Sequence, residues 1–310
     1  MSLEIAKENC AGPVNTVEIG YGPEAVNAGG QTALPFLFGE GEVPNAPLVA
    51  LEVLDCEPLD WPDALKKPVA GVSKDPIAWA KRCVEEFGVN LLCVRLQSVH
   101  QDWGSKPVRD SVKILGRIAV EAGAPLVVLG CGDDDLDNEL LPKASESLKG
   151  KNCLFGIASQ NNYKTLTATC LADGHSLIAE SPIDVNIAKQ LNILISDMGF
   201  DPKRIVMHPT TTSLGYGMEY VYSIMERARL ASFQGDRMLA MPFIVFPGQE
   251  TWKVKEAKDG GGEQGVNWEL ATSVAMLQSG ADIVVVRHPD TAKALAQFIK
   301  TAMGKAVSRT

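Results

Sequence analysis

Residues 47–54, PLVALEVL, break off into DCEPLDWP (55–62), and that junction decides the fold. A near-unbroken apolar run of this length, rich in valine and leucine, reads as a strand buried on both faces, which is the mark of a parallel sheet. The same unit recurs down the chain. VNLLCVRL (89–96), PLVVLG (125–130), NCLFGIA (152–158), SLIAE (176–180), RIVMH (204–208), PFIVF (242–246) and ADIVVVR (281–287) are further strand candidates. Each of the eight leads through a polar loop into a stretch of 3.6-residue periodicity. Those stretches begin near Pro76, Pro107, Asp133, Asn161, Pro182, Tyr216, Val266 and Pro289. Strict alternation of strand and helix requires parallel strands with right-handed crossovers. Eight units between residues 47 and 303 match the roughly 250 residues of one closed (β/α)8 barrel, the TIM barrel.

A doubly wound open sheet would need a glycine-rich phosphate turn after its first strand, and DCEPLDWP has none. GCGDDD (130–135) has the right place between strand and helix, but Asp133, Asp134 and Asp135 put carboxylates where a pyrophosphate would bind. They read instead as caps that complement the helix dipole. The run also fails as a calcium loop, because Asn138 and Ala144 fall where glycine and glutamate are needed. Residues 1–46 stand apart as an N-terminal extension to the barrel of 47–310. TVEIGYG (16–22) and AVNAGGQTALPF (25–36) read as a short hairpin that closes the barrel bottom or packs on its side. KVKEAKDGGGEQG (253–265) reads as a mobile polar loop.

The chain carries 29 Lys and Arg against 38 Asp and Glu, a net charge of −9, with 45% hydrophobic and 22% charged residues. That excess of acid opposes binding to nucleic acid or to an anionic membrane surface. No apolar run reaches 18 residues, and Glu4, Lys7 and Glu8 interrupt any signal-peptide core, so a cytoplasmic location is expected. The seven cysteines, at 10, 56, 83, 93, 131, 153 and 170, include no C-x-x-C pair. A zinc site or iron–sulfur cluster held by this chain alone is therefore not expected, and reduced, buried thiols are.

Barrel chemistry sits at the C-terminal ends of the strands. There this sequence offers amides and hydroxyls rather than paired carboxylates, with no H-x-H, G-x-S-x-G or S-x-x-K. No catalytic residue and no metal ligand is assigned. The candidate binding residues are Gln160, Asn161 and Asn162 after the fourth strand, Ser181 and Asp184 after the fifth, and His208, Thr210, Thr211, Thr212 and Gly215 after the sixth. Plainer roles compete. Ser181-Pro182-Ile183-Asp184 fits a capping box with proline at the first helical position, asparagine can cap the next helix, and His208 and His288 can be structural.

Several segments go further than pattern: LEVLDCEPLDWPDALKKP, QNNYKTLTATC, SPIDVNIAKQLNILISDM, LGYGMEYVYSIMERARLASFQGDRMLAMP and VVVRHPD. Together they resemble the small subunit of the corrinoid iron–sulfur protein, the acetyl-CoA decarbonylase/synthase delta-subunit family, from about Ala33 to Pro289. The resemblance implies a TIM barrel paired with a large subunit that carries a 4Fe–4S cluster and most of a corrinoid (cobalamin) site, with the corrinoid between the two. It further implies that cobalt takes a methyl group from methyltetrahydrofolate through a separate methyltransferase and passes it to CO dehydrogenase/acetyl-CoA synthase, in the reductive acetyl-CoA (Wood–Ljungdahl) pathway. This chain's share would be to cover the cofactor and exclude water, without catalytic residues of its own. The ten candidate residues would face the corrinoid. The pattern departs at DGHSLI (173–178), where Ile178 replaces the glycine of the D-x-H-x-x-G motif of self-contained corrinoid domains. A rival is a pterin-binding TIM-barrel methyltransferase acting on methyltetrahydrofolate through Asp55, Asn161 and Asp184; a third reading is an assembly subunit that touches no ligand.

Overall fold

The computed structural model describes residues 10–307. Strands β1 (Thr16–Ile19) and β2 (Val26–Gly29) form an antiparallel hairpin. Strands β3 (Leu48–Leu54), β4 (Leu92–Arg95), β5 (Leu126–Leu129), β6 (Leu154–Ala158), β7 (Ser176–Glu180), β8 (Ile205–His208), β9 (Ile244–Val245) and β10 (Ile283–Val286) form one parallel sheet in the order β8-β7-β6-β5-β4-β3-β10-β9. A parallel bridge between Met207 and Phe243 joins the two ends, and the sheet closes. The helices are α1 (Asp63–Lys66), α2 (Pro76–Glu85), α3 (Val108–Glu121), α4 (Asp134–Ser147), α5 (Tyr163–Asp173), α6 (Val185–Asp197), α7 (Met218–Phe233), α8 (Pro247–Thr251), α9 (Lys255–Asp259), α10 (Gly261–Ser279) and α11 (Pro289–Val307). The (β/α)8 barrel read from the sequence is the observed fold.

Side-chain alternation divides the core in two. Leu51, Val53, Leu92, Val94, Val128 and Val284 point outward against the helices. Ala50, Cys93, Val127, Leu154, Ile178, Val206, Ile244 and Val285 point inward, where Val17, Ile19 and Ala28 of the hairpin join them. The hairpin is thus a plug in the bottom of the barrel. Asn152, just ahead of β6, anchors it by donating to the carbonyls of Glu18 (3.0 Å) and Gly20 (3.1 Å). Gly29 is obligatory there, because its φ is +91° and a Cβ would lie 2.2 Å from the Asn15 carbonyl oxygen.

Two sequence expectations need correction. Residues 253–265 are mostly helical rather than a loop, since Lys255–Asp259 are α9 and α10 opens at Gly261. Their glycines allow close approach: a Cβ on Gly265 would sit 2.4 Å from the Trp252 ring. The capping box at residues 181–184 also falls in another frame. The Ser181 backbone N–H donates to the His208 carbonyl (3.1 Å) and so continues β7, and Asp184 is the N-cap of α6, accepting from Asn186 N (2.7 Å) and Ile187 N (3.2 Å).

Candidate functional site

Extending the inward alternation to the strand tops brings Glu52, Arg95, Glu180, His208 and Arg287 to the barrel mouth. They form two polar groups. On the β3, β4 and β10 side, Arg95 Nε donates to Glu52 Oε1 (2.6 Å) and Arg287 Nε donates to Glu52 Oε2. Arg95 Nη2 also donates to Gln249 Oε1 (2.7 Å), and the Arg287 guanidinium lies 5.0 Å over the Trp61 ring. Burial alone would raise the Glu52 carboxyl, but the two guanidiniums, Arg287 foremost, hold it down at about 2.

On the β7 and β8 side, Thr211 Oγ1 accepts from the Phe246 backbone N–H (2.8 Å) and lies 3.1 Å from His208 Nε2. His208 Nδ1 is 3.2 Å from Glu180 Oε1, and Thr210 Oγ1 donates to the Ser181 carbonyl (2.8 Å). Burial works against ionisation of Glu180, yet His208 and Thr210 outweigh it and hold the carboxyl below its ordinary range. Glu180 therefore stands at neutral pH as an anion already engaged, not as an acid ready to give a proton.

Of the ten residues singled out from sequence, Ser181, His208, Thr210 and Thr211 meet in this second network. Thr212 adjoins it with its Oγ1 buried and without a hydrogen-bond partner among the described residues. Asn161 and Asn162 form a separate cluster around Asp134: Asn161 Nδ2 donates to Asp134 Oδ2 (3.2 Å), and Asn162 Oδ1 accepts from Ser159 N (2.8 Å). Gln160 and Gly215 are exposed, and Asp184 is engaged in capping. Glu52, Arg95 and Glu180 are not among the residues expected from sequence. Their signal was a charge at an inward position of an otherwise apolar strand.

Other polar groups near the mouth serve the backbone. Asp55, fully buried, accepts from Ser98 N (2.8 Å), Ser98 Oγ (2.5 Å) and Ser111 Oγ (2.5 Å), tying β3 to β4 and α3. Asp137 accepts from Cys131 N (2.8 Å) and Gly132 N (3.0 Å), so a carboxylate of the chain itself fills the amide nest that a phosphate loop would offer. Gly130 is glycine because a Cβ would lie 2.2 Å from that carboxylate. Glu269 of α10 accepts from Arg287 N (2.7 Å) and Thr291 Oγ1 (2.7 Å), fixing the turn from β10 into α11, and burial pushes its carboxyl up to about 6. Burial likewise pushes the Cys56 and Cys131 thiols up to about 12, which keeps both protonated and unreactive at neutral pH. His175 of the DGHSLI segment lies buried at the barrel bottom, its Nδ1 accepting from Cys153 N (3.1 Å). Among the described residues no group of three or more His, Cys, Asp or Glu is placed to hold a metal.

The model of the CO dehydrogenase/acetyl-CoA synthase delta subunit family matches residues 16–302. The chain belongs to this family. The acetyl-CoA decarbonylase/synthase complex subunit delta of Methanothermobacter thermautotrophicus is 32% identical over 297 residues, covering 94% of this chain and 76% of the relative. That of Methanocaldococcus jannaschii is 30% identical over 289 residues, covering 91% and 71%. The chain spans 66% of the Methanosarcina acetivorans subunit delta 2, which is 31% identical. Among solved structures, the dihydropteroate synthase of Xanthomonas albilineans, determined with 4-aminobenzoic acid, superposes with a TM-score of 0.58 at 12% identity, over 95% of this chain and 99% of that one. The Thermus thermophilus enzyme gives 0.54 at 13% identity, over 87% and 99%. At such identities the likeness is one of fold. This chain thus shares the barrel fold of these synthases.

Proposed function

We propose that this delta-family chain is the small subunit of a heterodimeric corrinoid iron–sulfur protein, a cytoplasmic methyl carrier serving acetyl-CoA synthesis. The observation that carries the reading is the chemistry of the β6 to β8 rim. It presents neutral hydrogen-bonding groups, among them the orphaned Thr212 hydroxyl and the exposed Gln160 amide, while Asp55, Glu180 and Asp184 are all engaged within the fold. A macrocycle edged by carboxamides fits such a rim; acid–base catalysis has no free carboxylate there. Thr212, Gln160 and Asn161 would hold the edge of the corrinoid, and the Ser181–Thr210 and His208–Thr211 contacts would keep the rim rigid. A bound corrinoid supplies the methyl-accepting cobalt, and the barrel excludes water from one of its faces. The large subunit would bring the 4Fe–4S cluster, in keeping with seven free and mostly buried cysteines here. The methyltransferase and CO dehydrogenase/acetyl-CoA synthase would be the transient partners. Among the described residues no helix is long and apolar enough to cross a membrane.

Two of the three residues a pterin-dependent methyltransferase would use are otherwise employed: Asp55 by two serines and Asp184 by its helix. Anoxic purification of the tagged chain from its native host tests the reading. The expected result is a larger co-eluting chain with about one cobalt and about four irons per pair. A colourless chain that by itself turns over methyltetrahydrofolate with added corrinoid would contradict it.

A further inference from the structure

Two guanidiniums at the mouth keep donors that the fold does not use. Arg95 directs Nε to Glu52 and Nη2 to Gln249, and Arg287 directs Nε to Glu52. Arg95 Nη1 and both terminal nitrogens of Arg287 have no hydrogen-bond partner among the described residues. Both side chains border a cavity of about 310 Å³ walled by Trp61, Trp103 and Trp252, with Lys258 at its exposed edge. Two guanidiniums share the single Glu52 carboxylate, and Lys253 is matched by Glu250 at 2.8 Å. Asp60 is the one carboxylate among the lining residues. The cavity is therefore net positive in a chain of net charge −9.

A purely structural role explains this arrangement poorly. Buried ion pairs give back little more than their desolvation cost, and a well-packed apolar trio would hold three strands together as well. The surplus of fork-shaped donors is what a planar or tetrahedral oxyanion requires, because a guanidinium binds carboxylate or phosphate through two parallel N–H bonds. The indole walls lower the local dielectric and strengthen that attraction. We propose that the cavity between β3, β4 and β10 is a binding site for a small oxyanion, a phosphate or carboxylate group, held by the fork of Arg287 and Nη1 of Arg95. It lies across the mouth from the β6 to β8 rim and stands independently of the corrinoid reading.

The test is a titration of the full chain with sodium phosphate and, separately, sodium acetate, at constant ionic strength set with chloride, following tryptophan fluorescence. A saturable change with either anion is expected, and the tighter of the two identifies the source as phosphate or carboxylate. Arg287→Lys keeps a charge beside Glu52 but lacks the fork, and should weaken binding about tenfold or more. Lys258→Gln, at an exposed position that leaves folding undisturbed, should weaken it by about two- to threefold. No saturable response to either anion overturns the proposal, as does a response that Arg287→Lys leaves unchanged. If Arg287→Lys fails to fold, an unaltered response in Lys258→Gln overturns it instead.

Discussion

Replacing Glu52 by alanine should destabilise the chain by about 3–5 kcal/mol, a large part of an ordinary domain's stability. Glu52 is 2% exposed and is the shared partner of Arg95 and Arg287, so its loss leaves two largely buried guanidiniums facing each other without a counter-charge. Urea denaturation followed by far-ultraviolet circular dichroism gives the value. By contrast, removing Glu139, whose bond to Lys143 lies on the exposed face of α4, should cost no more than about 0.5 kcal/mol. The pH dependence follows with a definite sign. The Glu52 carboxyl is depressed in the fold to about 2, so its contribution is fully present above its ordinary value of 4.5 and is lost as pH falls from 4.5 towards 2. Glu269 acts oppositely: raised to about 6, it favours the fold below 4.5, and that benefit disappears as pH climbs through 6. The wild-type chain should lose stability steeply below pH 4.5, and the Glu52 variant less steeply.

Asp55→Ala should be the second most damaging change, at about 3 kcal/mol, because it strands a buried backbone N–H and two buried hydroxyls at once. Asp184→Ala removes only a helix cap and should cost about 1 kcal/mol. The comparison separates the present account from a pterin-binding enzyme. If Asp55 held a ligand, its replacement would abolish binding while leaving the urea midpoint nearly in place. Here the midpoint itself should fall, and by more than in the Asp184 variant.

How much of this was legible in the sequence follows from what each residue contacts. The eight strands were readable because a strand buried on both faces is apolar whatever surrounds it, and the seventh, PFIVF, is the shortest observed, Ile244–Val245. Asp133 announced itself as a cap because an N-cap bonds within three residues, and it accepts from Asp135 N and Leu136 N, both at 3.0 Å. Glycines 260–262 misled, because composition cannot tell a glycine kept for flexibility from one that admits Trp252 against α10, as Gly265 does. The charged side of the mouth was missed for a different reason. Glu52 sits inside its strand, and Arg95 and Arg287 reach it from 43 and 235 residues away, so only the closed barrel reveals them as one group. The β7 and β8 rim was visible as a cluster of hydroxyls, but Glu180 takes meaning only from the His208 beside it.

Sedimentation velocity of the purified native complex, followed at the visible absorbance of the corrinoid and, in parallel, in the ultraviolet, shows whether this chain and the corrinoid share one particle. A small subunit that covers the corrinoid gives a single coloured boundary at the mass of a one-to-one heterodimer, and that boundary is lost when this chain is removed. Corrinoid colour sedimenting with the large subunit alone, unchanged by the presence of this chain, would contradict that role.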